Sequence, residues 1–194
     1  EIIFGGDIGK KSSNQWFFET LKDFEVSITL GNHDSYSEVV KHYNFEAINK
    51  QNALYYAQEY DEYRFVFLDS STEKINDEQF KWFKKQLITS KKIILFIHHP
   101  ILSVNALVDK QFDLQDRDKL KAELFKIKNK VVIFSGHYHF EDDAVEANLT
   151  QYITLASSYQ IEKLVGKIKV SNKKYGYRLI KIIDHKIITE LVVF

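Results

Sequence analysis

The sequence has no cysteine, no methionine, one proline and seven glycines in 194 residues. Without cysteine, disulfides and thiolate metal sites are excluded, so any metal must be held by imidazole, carboxylate, amide oxygen or water. No apolar run approaches the roughly 20 residues of a membrane-spanning helix, so no membrane partner is expected. An excess of one charge is also missing, because 27 basic residues balance 27 acidic ones. That balance argues against binding nucleic acid or a membrane surface by bulk electrostatics. The missing methionine and the first residue, Glu1, together predict an N-terminal segment ahead of this chain, which would carry any export signal. With none in view, the expected location is the cytoplasm. Nothing in the composition selects an oligomeric state.

What is present suits one globular domain over residues 1–194, with 44% hydrophobic and 28% charged residues and enough length for a sizeable core. Short apolar runs at Ile2–Phe4 and Val26–Leu30 read as strands. Between them, Ser12 or Ser13 is placed to cap a helix with Phe17, Leu21 and Phe24 on one face. Ser35 and Glu38 have capping-box spacing ahead of a short helix bearing Val39, Val40 and Tyr43. Leu54–Ala57 and Tyr63–Leu68 predict a hairpin. Asn76 and Gln79 predict a capped helix with Phe80, Phe83 and Leu87 inward. Ile93–Ile97 and Val131–Phe134 are apolar throughout, the pattern of strands covered on both faces. A helix with Leu120, Leu124 and Ile127 on one face separates them. From residue 142 the pattern turns to strands alone: Ala144–Ala147, Gln151–Leu155, and a terminal hairpin of Tyr175–Ile183 and Lys186–Val193. The simplest architecture is an α/β domain with added antiparallel strands.

Four apolar strands end in polar clusters: Gly6-Asp7, Gly31-Asn32-His33-Asp34, His98-His99-Pro100 and Gly136-His137-Tyr138-His139. Asp69 ends a fifth run. Sites in open α/β sheets form outside the carboxyl ends of strands, so clusters far apart in sequence converge on one edge. A lone Gly-Asp is usually a turn, and His-His-Pro alone is usually a loop. Turn chemistry explains Gly and Asn in Gly31–Asp34 but not His33 and Asp34. Carboxylate, amide oxygen and imidazole together suit a divalent metal centre.

These blocks, in this order, resemble the calcineurin-like metallophosphoesterase superfamily, which is marked by Asp-x-His, Gly-Asp, Gly-Asn-His-Asp/Glu, a lone His and Gly-His-x-His. The runs Tyr63–Ser71, Glu78–Phe83 and Phe96–Pro100 are similar to the class III cyclic-nucleotide phosphodiesterase and glycerophosphodiesterase branch, which shares features with purple acid phosphatases. The resemblance implies a four-layer fold of two packed mixed β-sheets flanked by helices. It also implies two divalent ions (Mn, Fe or Zn). Asp7 would bridge the ions; Asn32, His98 and His137 would complete one shell, and His139 would join the other. His33 would sit beside the scissile phosphate with Asp34 orienting its ring, and His99 would be near the substrate or structural. The Asp-x-His block is absent; Asp69, Asp109 and Asp113 do not stand in its context. The expectation is that it lies on a preceding first strand.

The implied activity is hydrolysis of a small-molecule phosphomono- or phosphodiester by metal-activated hydroxide, with His33 as donor to the leaving oxygen. Specificity is expected from loops around Tyr36, Asn105 and Ser157-Ser158-Tyr159. The rival from another class is a metal-depleted scaffold reusing the fold, which the intact His33, His98, His137 and His139 set opposes. A nuclease of the same superfamily is opposed by the lack of a basic stripe. The run of Lys167, Lys169, Lys173 and Lys174 reads as a solvated face.

Overall fold

The computed structural model describes residues 1–43, 52–163 and 166–194. Its centre is a six-stranded sheet built from β3 (Tyr56–Glu59), β4 (Tyr63–Leu68), β5 (Lys92–Ile97), β6 (Val131–Ser135), β7 (Asp142–Glu146) and β8 (Leu149–Ile153), in the order β3-β4-β5-β6-β8-β7. β4, β5, β6 and β8 run parallel, while β3 and β7 close the two edges antiparallel. Successive side chains leave a strand on opposite faces, and both faces are covered. Leu95 and Ile97 of β5 and Val131 and Ile133 of β6 join Phe83 and Leu87 of α3 (Asp77–Gln86) and Leu120 and Leu124 of α5 (Arg117–Leu124). Ile94, Phe96 and Phe134 face the other way, toward β1 (Ile2–Phe4), β2 (Val26–Ile28) and the hairpin of β11 (Gly176–Ile183) and β12 (Lys186–Val193). Phe17 and Phe18 of α1 (Ser13–Thr20) pack on Phe4 and Tyr43, and Val39 of α2 (Tyr36–Val39) is fully buried in the same cluster.

The layers are therefore helix, sheet, strand layer and helix, as the resemblance implies. The second strand layer is divided among the described residues: β1 pairs with β2 in parallel, β11 pairs with β12 antiparallel, and no hydrogen bonds join the two pairs. Facing this layer, Tyr56, Phe67, Phe96, Phe134 and Tyr152 stand in register across five strands, with ring centroids 4.4–5.6 Å apart. Each contact resembles the offset stacking that adds about 0.5–1.5 kcal/mol beyond burial. Tyr56 also bridges the layers, because its hydroxyl accepts from the Ile28 N–H at 2.9 Å and donates to the Ile28 carbonyl at 3.0 Å.

Most expected elements are present, with corrections at their ends. α1 stops at Thr20, leaving Phe24 exposed outside the helix, and Phe18 takes the inward position. The Ser35–Glu38 capping box does not form; the Ser35 hydroxyl instead lies 3.1 Å from that of Ser37. Asn76 does cap α3, accepting from the Gln79 N–H at 2.8 Å. β7 and β8 each begin two residues before the expected runs, and the expectation of strands alone after residue 142 holds for the described residues. Three short elements have no counterpart in the sequence reading: α4 (Leu107–Gln111), β9 (Gln160–Ile161) and β10 (Val170–Ser171). Among the described residues, no helix is long and apolar enough to cross a membrane.

Candidate metal centre

Two turns, one after β1 and one after β2, are bound into a single unit. Asp7 sits at φ 63°, a left-handed conformation that costs a non-glycine residue of the order of 1 kcal/mol. It is held there from both sides. The Asp7 N–H donates to Asp34 Oδ2 at 2.7 Å, and Asp7 Oδ1 accepts from the His33 N–H at 2.9 Å. Asp34 also accepts from the N–H groups of Gly31 and Ile8, each at 2.9 Å. The approach leaves no room for a side chain at Gly31, where a Cβ would lie 2.1 Å from Asp7 Oδ1. Gly6, at φ 94°, is similarly confined, with its would-be Cβ 2.6 Å from the Gly31 nitrogen. The sequence reading gave Asp34 the His33 ring to orient. The structure instead ties its carboxylate to three backbone amides. Burial pushes the Asp34 carboxyl above its ordinary value, against the pull of those amides.

β5 and β6 deliver two histidines to the same place. His98 Nδ1 lies 2.6 Å from the Gly5 carbonyl, and His137 Nε2 lies 3.0 Å from the Phe112 carbonyl. A carbonyl only accepts, so each of these nitrogens carries the proton. The opposite nitrogens, His98 Nε2 and His137 Nδ1, face each other at 3.2 Å. Asp7 Oδ2 lies 3.3 Å from His98 Nε2. The ligand atoms of Asp7, His98 and His137 lie within 4.8 Å of one another. Burial alone would raise the Asp7 carboxyl, but the His98 contact and the His33 amide more than reverse this and hold it well below the usual carboxylate range. Burial, with His98 beside it, lowers His137 to about 4. Outer nitrogens fixed on carbonyls and inner nitrogens converging on a carboxylate make a donor set suited to a divalent cation.

The other candidates fall around this cluster. Asn32 Oδ1 is buried and has no hydrogen-bond partner among the described residues, as an amide oxygen reserved for a cation would be. The His33 ring is exposed, while its N–H is anchored on Asp7. His139 lies outside the three-residue cluster. Its Nδ1 donates to the Tyr159 carbonyl at 2.9 Å, which leaves Nε2 for a ligand. His137 and His139 both occupy left-handed backbone, at φ 67° and 55°, so they lie in a loop and not on a shared strand face. His99 is fully buried, 2.8 Å from the Ser70 hydroxyl, with its ring 4.0 Å from that of His137. Burial and the two neighbouring histidines lower it to about 2, so it is a neutral wall behind His137. Asp69 belongs to a separate buried knot, accepting from the Leu54 and Ser71 amides while Gln79 clasps its backbone. The site thus uses the carboxyl ends of strands from both layers, not of one sheet. Backbone carbonyls of Gly5, Phe112 and Tyr159 are functional parts that the sequence reading missed, and a carbonyl carries no residue-type signal.

A cavity of roughly 240 Å³ opens beside the cluster. Asp7, His98, His137 and His139 line one end, and Ile3, Phe4 and Ile180 line its flanks between β1 and β11. Ser157 and Ser158, in one of the expected specificity loops, form part of its wall.

The family model described as calcineurin-like phosphoesterase matches residues 1–141. A protein named as a probable cyclic nucleotide phosphodiesterase of Fibrobacter succinogenes is 27% identical over 189 residues, covering 93% of this chain and 73% of its own length. One named as a probable glycerophosphodiester phosphodiesterase of Arcobacter nitrofigilis is 29% identical over 155 residues, covering 71% of this chain and 56% of its own length. A purple acid phosphatase from yellow lupin shares the fold at TM-score 0.67 and 14% identity, over 97% of this chain and 43% of the lupin chain. A dimetal phosphatase of Danio rerio does so at TM-score 0.59 and 14% identity, over 92% and 78% of the two chains. This chain therefore spans little more than half of the second sequence relative and under half of the lupin enzyme.

Proposed function

The chain belongs to the calcineurin-like phosphoesterase family, whose members hydrolyse phosphoesters, and we propose that it cleaves a small phosphomono- or phosphodiester at a dinuclear centre of divalent Mn, Fe or Zn. The observation that carries this reading is the meeting of Asp7 Oδ2, His98 Nε2 and His137 Nδ1, with the outer nitrogen of each ring held on a carbonyl. The orphaned Asn32 Oδ1 fits the same group. In this reading Asp7, Asn32, His98, His137 and His139 would hold the ions, Asp7 being shared and His139 serving the second. Ions bound there would lower the pKa of a coordinated water and offset charge on the phosphoryl oxygens.

The protein's own groups do the rest. Asp34 fixes the β1 and β2 turns against each other. In this reading His33, whose side chain is exposed and whose N–H is anchored on Asp7, donates a proton to the leaving oxygen. The names of the two sequence relatives favour a phosphodiester, either a cyclic nucleotide or a glycerophosphodiester. Remaining ligands of the second ion would come from an Asp-x-His block on a strand lying between β1 and β11, which would complete the domain formed by residues 1–194. In support, β1 and β11 each pair on one side only among the described residues, and the cavity separates them.

The test is hydrolysis of bis-p-nitrophenyl phosphate and p-nitrophenyl phosphate by the full-length protein with added Mn²⁺, alongside metal analysis. Activity that His33→Ala and Asp7→Ala abolish, with two equivalents of metal per chain, is expected. Metal-loaded protein inactive on both esters overturns the reading.

A further inference from the structure

We propose that Asp109 is a positioning residue for the metal centre: acting through the Tyr138 hydroxyl, it fixes the turn that presents His137 and His139. The proposal rests on the metal-centre reading above for its consequence, but not for its geometry. Asp109 lies in α4 and is only 3% exposed; Tyr138, between the two histidines, is 1% exposed. The Tyr138 hydroxyl donates to Asp109 Oδ1 at 2.8 Å. The same oxygen accepts from Arg117 Nη1 at 2.9 Å, and Oδ2 accepts from the Ser103 hydroxyl at 3.0 Å. A buried carboxylate satisfied in this way is a rigid anchor, because moving Arg117 leaves a charge uncompensated and moving either hydroxyl leaves a buried acceptor unsatisfied.

The turn needs an anchor. His137 and His139 are both left-handed, and neither is glycine. Such backbone is strained for a residue that carries a Cβ and persists only where surrounding contacts over-determine it. Within the turn, the Gly136 N–H donates to the His98 carbonyl at 3.0 Å and the Tyr138 N–H to the Gly136 carbonyl at 2.8 Å. α4 and the residue that ends it grip the turn at two points, through the Asp109 carboxylate on Tyr138 and the Phe112 carbonyl on His137 Nε2. Releasing the first frees the backbone on both sides of Tyr138 and so moves both ligating rings.

The decisive experiment is hydrogen exchange of the metal-free protein, read on peptides containing Gly136–His139, together with Mn²⁺ affinity by calorimetry. Tyr138→Phe removes one hydroxyl. Asp109→Ala removes the acceptor, and Asp109→Asn keeps an acceptor oxygen. Exchange in the turn is expected to rise at least about tenfold in Tyr138→Phe and Asp109→Ala, with Asp109→Asn between them and wild type. Mn²⁺ affinity is expected to fall by about 10–100-fold in Tyr138→Phe, the usual effect of losing an outer partner of a metal ligand. Asn148→Ala is the control for general loosening, since Asn148 binds the Leu124, Ile127 and Asn129 carbonyls away from the site. Unchanged exchange in the turn, or a rise that Asn148→Ala reproduces, overturns the proposal. Wild-type protein that takes up no Mn²⁺ overturns the metal reading instead, and the exchange arm still decides the role of Asp109.

Discussion

His98 and His137 face each other through their inner nitrogens, Nε2 and Nδ1, 3.2 Å apart. Carbonyls of Gly5 and Phe112 hold the protons on the far side of each ring. Burial, reinforced by His98, lowers His137 from its ordinary 6.5 to about 4. A depressed folded value means that the unfolded chain binds the proton first as pH falls. The stability due to the neutral ring is therefore fully present above about pH 6.5 and is lost as pH falls toward 4. The shift corresponds to about 3 kcal/mol. Urea unfolding of metal-free protein is expected to weaken across that window, and His137→Gln should flatten the slope. An equal slope in the variant would show that His137 does not titrate in this way.

His33 and Asp34 are adjacent in sequence but should separate by phenotype. Asp34 holds the amides of Asp7, Ile8 and Gly31. Asp34→Ala leaves three N–H groups without their acceptor, at about 1–3 kcal/mol for each that stays buried, so a loss of roughly 3 kcal/mol or more in unfolding free energy is expected. The His33 side chain is exposed, and His33→Ala should change stability by no more than about 0.5 kcal/mol while removing phosphodiester hydrolysis. Thermal melts and turnover measured side by side decide the matter. A destabilised His33→Ala, or an Asp34→Ala as stable as wild type, contradicts this division.

The ends of the strands were legible because both the physics and the chemistry mark them. Ile93–Ile97 and Val131–Phe134 are apolar at every position, which only burial on both faces explains, and a histidine follows the first directly and the second within three residues. Less legible was which layer each strand joins. Nothing in Ile2–Phe4 or Val26–Leu30 distinguishes a strand of the six-stranded sheet from one of the facing pair, since pairing is decided by contacts distant in sequence. The backbone partners of Asp34 were illegible for a related reason. A carboxylate beside a histidine suggests a side-chain pair, whereas its three partners are backbone amides, two of them 26 and 27 residues away. The link between Asp109 and Tyr138 was not legible, because the two residues stand 29 positions apart and neither type marks the other.

Gly31 and Gly5 give the sharpest test of the clasp between the turns. A Cβ at Gly31 would lie 2.1 Å from Asp7 Oδ1, 2.7 Å from Asp7 Cγ and 2.8 Å from the Asp7 nitrogen, whereas at Gly5 nothing lies within 4 Å. Three atoms of one residue cannot all yield by a rotamer change, because one of them is backbone. Gly31→Ala must therefore push Asp7 away from His98 or open the β2 turn. Overpacking of this kind costs about 1–3 kcal/mol, and the displaced carboxylate should weaken Mn²⁺ binding as well. Gly5→Ala keeps the carbonyl that receives His98 Nδ1 and should behave as wild type within about 0.5 kcal/mol. Urea melts and calorimetric Mn²⁺ titrations of the two variants form the comparison. Equal behaviour would mean that the close approach of Gly31 to Asp7 does not govern how the carboxylate is placed.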